Sequence, residues 1–241
     1  MQIIQPLQRE EISECLYLPG RRKRFASFLA AGVSGAELSR LLAEGWRKFG
    51  VYFFRPECPQ CRACIPLRVP TATFVPSRSQ RRVLRRGSGL QSSFGGLRSA
   101  EQIYDLYRRH SLERFGQESD WDEFLLTFYL PSCPVLQSEL WLQGELVGAG
   151  FLDVGVDCLS SVYFSFDPRF AHLRPGTFSI LQEIEEARRL RLPYYYLGYY
   201  VAGSPRLAYK DHFRPRQHYD WQTGCWREAG LPTDYPSGPT S

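Results

Sequence analysis

Apolar residues recur at helical spacing between residues 177 and 191, where Phe178, Ile180, Leu181, Ile184 and Leu190 form one stripe. That pattern predicts an amphipathic helix. Two further helices are marked at their ends. Over 34–44, Ser34 can cap the first turn, Glu37 completes a capping box, and Gly45 ends the helix. Over 77–86, Ser77 and Gln80 form the same pair and Gly87 stops the run. Helices are also expected over 99–115 and 120–130. Short apolar and aromatic runs predict strands at 51–54, 136–142, 145–154, 158–166 and 194–199, and a last strand over 218–226. Gln143 and Gly144 suit the hairpin turn between two of them. Residues 65–75 read as extended because their prolines exclude helix, and 205–212 as a short helical turn.

The second half therefore runs helix, helix, three antiparallel strands, helix, strand. This is a mixed α/β (α+β) order, and it matches an acetyltransferase-like (GNAT-like) C-terminal domain. A match of topology speaks to fold more than to activity. GSGLQSSFGGL at 87–97 reads as a linker. It sets a smaller cysteine-containing N-terminal domain over 1–90 apart from the acetyltransferase-like domain over 91–230. The tail over 231–241, rich in Pro, Gly, Ser and Thr, reads as disordered.

A hydrophobic content of 43% over 241 residues is ample for a packed core. No apolar run is long enough to span a bilayer, and the N-terminus lacks the pattern of a signal peptide. The expectation is a cytoplasmic protein with no membrane partner. The net charge of +5, from 30 Lys+Arg against 25 Asp+Glu, is too mild to imply nucleic acid by itself. Clustering changes that picture. Residues 21–24 read RRKR, and residues 77–86 carry Arg78, Arg81, Arg82, Arg85 and Arg86 with no acid among them. On a helix, 78, 82, 85 and 86 share one broad face that can follow a phosphate backbone. A plain solvated face is the alternative.

Seven cysteines are present, three of them spaced C-x2-C-x2-C at Cys58, Cys61 and Cys64. With Cys15 upstream, four thiolates can close around zinc or hold an iron–sulfur cluster. Such a site would be structural, since it leaves no open position. Cysteines packed in a turn without metal are the other reading. Arg47, after the Gly45–Trp46 turn, has the chemistry to clamp a carboxylate. Residues 194–215 are unusually aromatic. There Tyr199, Tyr200, Tyr209 and Phe213 can line a groove, Gly198 allows close backbone approach, and Lys210 and Arg214 add positive charge. Each tyrosine alone reads equally well as the amphipathic edge of a core strand. No G-x-S-x-G elbow, H-E-x-x-H or P-loop occurs, and the four histidines form no ligand pattern.

Seven of these segments, in order, resemble one family. They are C-x-Y-L-P at 15–19, G-W-R-x-x-G at 45–50 and P-x-C-x-x-C-x-A-C-x-P-L-R-V at 56–69. F-V-P-S-R-S-Q-R-R at 74–82, S-x-Y-x-x-F-D-P at 161–168, Y-L-G-Y-Y at 196–200 and Y-K-x-x-F-R-P at 209–215 follow. Together they resemble the bacterial aspartate/glutamate leucyltransferases, relatives of the arginyl-tRNA–protein transferases. The resemblance implies an N-degron enzyme. It would move leucine from Leu-tRNA to proteins that begin with Asp or Glu. Its partners would be the charged tRNA and the acceptor protein. An arginine donor is the alternative within the family. The motifs put substrate contacts on Arg47, Arg78, Gln80, Arg81, Arg82, Tyr163, Gly198, Tyr199, Phe213 and Arg214, with Lys210 and Tyr209 as candidate catalytic groups.

Aminolysis of an activated ester fits the missing triad. The α-amine of a peptide in water has a pKa of about 7.7–8.0, so a useful fraction is neutral without a strong base. Positioning and oxyanion stabilisation are then the main work. Two rivals come from other classes, an acetyl-CoA-dependent N-acetyltransferase and a non-catalytic RNA-binding protein. HLRPGT at 172–177 lacks the full pyrophosphate loop of the former, so no CoA is expected.

Overall fold

The computed structural model describes residues 1–230; the tail expected to be disordered lies outside them. The chain opens with strand β1 (Gln2–Arg9), the short strands β2 (Ser13–Glu14) and β3 (Arg22–Lys23), and β4 (Phe25–Ala31). Helix α1 (Gly35–Ala43) leads to β5 (Arg47–Phe49) and β6 (Tyr52–Pro56), and β7 (Ile65–Pro70) precedes α2 (Arg78–Arg86). Next come β8 (Leu90–Gly95), α3 (Ala100–Phe115) and α4 (Trp121–Phe124), the last extended by a π-helical turn over Leu125–Tyr129. Strands β9 (Val135–Leu142), β10 (Glu145–Val154) and β11 (Cys158–Phe166) are followed by α5 (Pro175–Arg189) and β12 (Tyr194–Tyr200). A 3-10 turn at Ala208–His212 precedes β13 (Gln217–Asp220) and β14 (Cys225–Glu228).

Both expected capping boxes are present. Ser34 and Glu37 close the start of α1, and Ser77 and Gln80 close that of α2, each pair exchanging side-chain and backbone bonds. The antiparallel run β9-β10-β11, then α5, then a parallel β12, reproduces the mixed α/β order expected from the sequence. Two local expectations are corrected. Residues 90–95 of the expected linker form β8, which pairs antiparallel with β9. Their serines and glycine fit an edge strand that is half-buried or exposed beyond Leu90. The single strand expected over 218–226 is a hairpin, because Asp220 turns the chain by accepting the amides of Gln222 and Thr223. The N-terminal segment, where the apolar pattern predicts no element, forms β1 and β4, held by backbone pairing, since nearly every β1 side chain is exposed.

Two main sheets result. The smaller runs β1-β4-β6-β5, and the larger runs β14-β13-β7-β12-β11-β10-β9-β8. The larger sheet thus takes β7 from the first third of the chain and sets it between β12 and β13. Helix α5 covers one face, packing Ile180, Leu181, Ile184 and Ala187 on Leu67, Leu152, Leu159 and Leu197. Helix α1 packs Leu38, Leu41 and Leu42 among Phe28 and Phe53 of the small sheet and Cys158 and Tyr196 of the large one. A buried ion pair also ties the sheets: Lys48 Nζ of β5 lies 2.9 Å from Asp153 of β10. Among the described residues no helix is long and apolar enough to cross a membrane.

Candidate active site at the split between parallel strands

Strands β11 and β12 pair over only three positions, Cys158–Tyr194, Leu159–Tyr195 and Ser160–Tyr196. Beyond Ser160 they part. β11 continues beside β10 as far as Phe166, and β12 continues beside β7 as far as Tyr200. Each carries a register shift near the parting point, between Ser161 and Tyr163 on β11 and between Tyr196 and Gly198 on β12. Such bulges increase local twist and re-aim side chains. The backbone therefore opens a wedge in the middle of the sheet.

Arg47 enters that wedge from the small sheet. Successive strand residues face opposite ways, so the Lys48–Asp153 pair turns Arg47 and Phe49 away from β10. Arg47 donates one N–H to Ser160 Oγ at 2.8 Å and another to the Ser161 carbonyl. Lys210 reaches the same place from the 3-10 turn. Gly198 marks the meeting point. A Cβ on Gly198 would lie 3.2 Å from Lys210 Nζ and 3.6 Å from the Arg47 guanidinium. Its φ of +85° also lies in the region that only glycine enters freely. Tyr199, buried beside it, donates to the Gly45 carbonyl at 3.0 Å.

Two cations held together in a poorly hydrated place affect each other. Burial, and then the Arg47 charge, pulls the Lys210 ammonium down to about 7. Burial likewise lowers Arg47, while Tyr199 and Asp153 oppose the shift. Behind Ser161 lies Glu183 of α5, which accepts the Tyr195 and Ser179 hydroxyls. Burial raises its carboxyl, and hydrogen bonds from Ser179, Tyr195, Ser138 and Ser161 work against the rise. Ser161 thus stands between Arg47, which bonds its carbonyl, and Glu183, which bonds its side chain. The sequence pattern does not disclose this network. Its one signal there is an acid at 183 inside the apolar stripe of Ile180 and Ile184.

The remaining expected site residues fall in four places. Gln80, Tyr209 and Phe213 line a cleft of about 60 Å³ with Ser79, Arg174, Thr177 and His212, and no carboxylate lines it. Gln80 and Phe213 are also structural. The former donates to the His212 carbonyl at 3.3 Å, and the latter is buried and stacked on Phe74. Arg78, Arg81 and Arg82 are exposed on α2 with Arg85 and Arg86, while Gln80 and Val83 turn inward. Arg214 is exposed and pairs loosely with Asp211, 3.7 Å away. Tyr163 lines a different cleft of about 450 Å³, between α3, α4 and β5.

Cys15, Cys58, Cys61 and Cys64 share one neighbourhood. Burial, then the charges of Cys58, Cys15 and Cys61, pushes the Cys64 thiol up to about 12. The same group borders Tyr199, whose hydroxyl is raised first by burial and then by Cys64 and Tyr17, against the pull of the Arg47 charge. The donors suit zinc or an iron–sulfur cluster in kind. Their spacing, however, forms no metal-holding group among the described residues. All seven cysteines are free thiols.

A family model described as arginine-tRNA-protein transferase, N terminus, matches residues 13–82, and one described as its C terminus matches residues 102–220. The chain is 38% identical over 220 residues to an aspartate/glutamate leucyltransferase of Chromobacterium violaceum, covering 87% of this chain and 90% of that one. It is 35% identical over 222 residues to the protein of that name from Marinobacter nauticus, covering 89% and 92%. Among solved structures it is similar to L-PGS from Bacillus licheniformis, with a TM-score of 0.46, 12% identity, and coverage of 68% of this chain and 50% of that one.

Proposed function

This chain belongs to the arginine-tRNA-protein transferase family, and from that premise we propose that it transfers leucine from Leu-tRNA to proteins whose first residue is Asp or Glu. The new N-terminal leucine marks the acceptor for degradation in the N-degron pathway. The observation that carries this reading is the Arg47–Lys210 pair at Gly198. Two neighbouring cations, poorly hydrated and repelling each other, favour an anion between them. The side-chain carboxylate of an acceptor beginning with Asp or Glu supplies one. Its arrival relieves the repulsion and draws the Lys210 pKa back upward.

With the carboxylate held there, the acceptor's α-amine lies in the wedge. The neutral amine attacks the carbonyl carbon of the leucyl ester. A C–N bond forms, the C–O bond to the terminal ribose breaks, and the amine's proton passes to the departing ribose oxygen. The products are an amide and a tRNA with a free hydroxyl. Arg47 and Lys210 orient the nucleophile, the contribution that positioning makes to such reactions. Tyr209, next to Lys210 in the chain and partly exposed, is the hydroxyl available near the ester.

The acid-free cleft of Ser79, Arg174, Thr177, Tyr209 and His212 suits a phosphate at the donor's 3′ end. The exposed arginines of α2, which also supplies Ser79 and Gln80 to that cleft, suit the tRNA backbone further along. Charged tRNA as donor implies a cytoplasmic enzyme.

A transfer assay tests the reading. Purified protein is mixed with labelled Leu-tRNA or Arg-tRNA and with peptides starting with Asp, Glu, Arg or Lys. Label should move from Leu-tRNA to the Asp and Glu peptides alone. Transfer from Arg-tRNA would change the donor and keep the chemistry. No transfer from either, by folded protein, would sink the proposal.

A further inference from the structure

The larger cleft, about 450 Å³, plays no part in the function so far. Its walls are aromatic: Phe49 from β5, Tyr107 and Phe115 from α3, Phe124 and Phe128 below, and Tyr163 from β11. Phe124 and Phe128 are buried, and Phe128 stacks on Phe151 with centroids 4.5 Å apart, so this floor is fixed. Glu118, Asp120 and Glu123 stand exposed around it, and no Lys, Arg or His lines it. Asp120 is engaged as the N-cap of α4, accepting the Glu123 amide at 2.9 Å. Glu118 and Glu123 are therefore the carboxylates with the freest side chains. The charge is opposite to that of the small cleft, which contains Arg174 and His212 and no acid.

The cleft flanks the wedge. Phe49 lies two residues from Arg47 on the same strand face, and Tyr163 lies just past the bulge that follows Ser161. The segment that carries Tyr209 also borders the cleft, since the Arg206 guanidinium lies over the Phe115 ring, 5.4 Å from its centroid. A donor whose terminal phosphate sits by Tyr209 can thus extend its aminoacyl group toward the aromatic walls.

We propose that this cleft is the subsite for the aminoacyl group of the donor, taking an apolar side chain against its aromatic floor and the free α-ammonium at Glu118 and Glu123. The inference rests on the transferase reading above and assigns the donor end of it. An acceptor beginning with Asp or Glu is excluded by charge, because it would bring a carboxylate to three others. Leucine meets both demands, an apolar branch and an ammonium.

The test compares Leu-tRNA with N-acetyl-leucyl-tRNA, which lacks the ammonium, as donors to a Glu-peptide. Wild type should prefer Leu-tRNA by about tenfold or more in kcat/KM, as expected for one charge-assisted contact. The Glu118→Gln/Glu123→Gln double variant, altered only at exposed positions, should treat the two donors alike. Its KM should rise for Leu-tRNA and stay unchanged for the peptide, and its affinity for deacylated tRNA should not move. Phe49→Ala, at another exposed position, should lower kcat/KM for Leu-tRNA and leave the KM for the peptide unchanged. Undiminished donor discrimination by the double variant, or a loss confined to the peptide's KM, would overturn the subsite and leave the transferase reading standing. Absence of leucyl transfer by the wild type would overturn both.

Discussion

Lys210 is charged up to its usual value of 10.5 in the unfolded chain, whereas in the folded protein it releases its proton near 7. Between those two values the unfolded state binds more protons, so stability rises with pH. Below about 7 the full cost of burying the ammonium beside Arg47 is present. Lys210→Met is therefore expected to be more stable than wild type at pH 6, with the difference shrinking as pH climbs toward 10, as followed by urea unfolding across pH. The same site gives a functional prediction. Lys210→Ala should lose about tenfold or more of the preference for Glu-peptides over Gln-peptides, measured as a ratio of kcat/KM. A folded variant with unaltered preference would remove Lys210 from the acceptor subsite. At this scale the sequence is informative wherever chemistry and motif coincide, as at Arg47, Gly198, Tyr199 and Lys210. It is silent on Ser160 and Tyr195, whose importance comes from strand register, which no local pattern records.

Helix α2 separates two jobs along its length. Gln80 and Val83 turn inward and fasten it, and five arginines face water. Replacing exposed arginines should then weaken tRNA binding without unfolding the helix. For Arg82→Gln/Arg85→Gln, the slope of log affinity against log salt should fall by about 2, one unit for each phosphate no longer neutralised. An unchanged slope would show that the arginine face is merely solvated. The helix is legible because its caps are written in four residues, Ser77 to Gln80. Strand β8 is not, since Gly and Ser on an edge strand look the same as Gly and Ser in a linker. β1 escapes for a related reason: with almost no buried side chains it has no apolar alternation to detect.

The large sheet joins distant parts of the sequence. β7 pairs with β12 on one side and β13 on the other, so residues 91–230 expressed alone lack an interior strand. That fragment is expected to fail to fold cooperatively, while residues 1–230 unfold in one transition, as circular dichroism in urea would report. A well-folded fragment would mean that β12 and β13 close on each other without it. The mixed α/β character and the order of the second half are visible in advance, since each element there is amphipathic. The insertion of β7 is not, because strand order depends on contacts more than a hundred residues apart.

That insertion also sets a timetable for synthesis. β7 leaves the ribosome early, yet both of its neighbours lie beyond residue 193. For more than half of translation an apolar strand has no partner on either edge, and long-range pairing of this kind is slow and prone to aggregation. The wedge accordingly takes shape in a late event, when β12 arrives to pair with β11 along one edge and with a strand that has been waiting for it along the other.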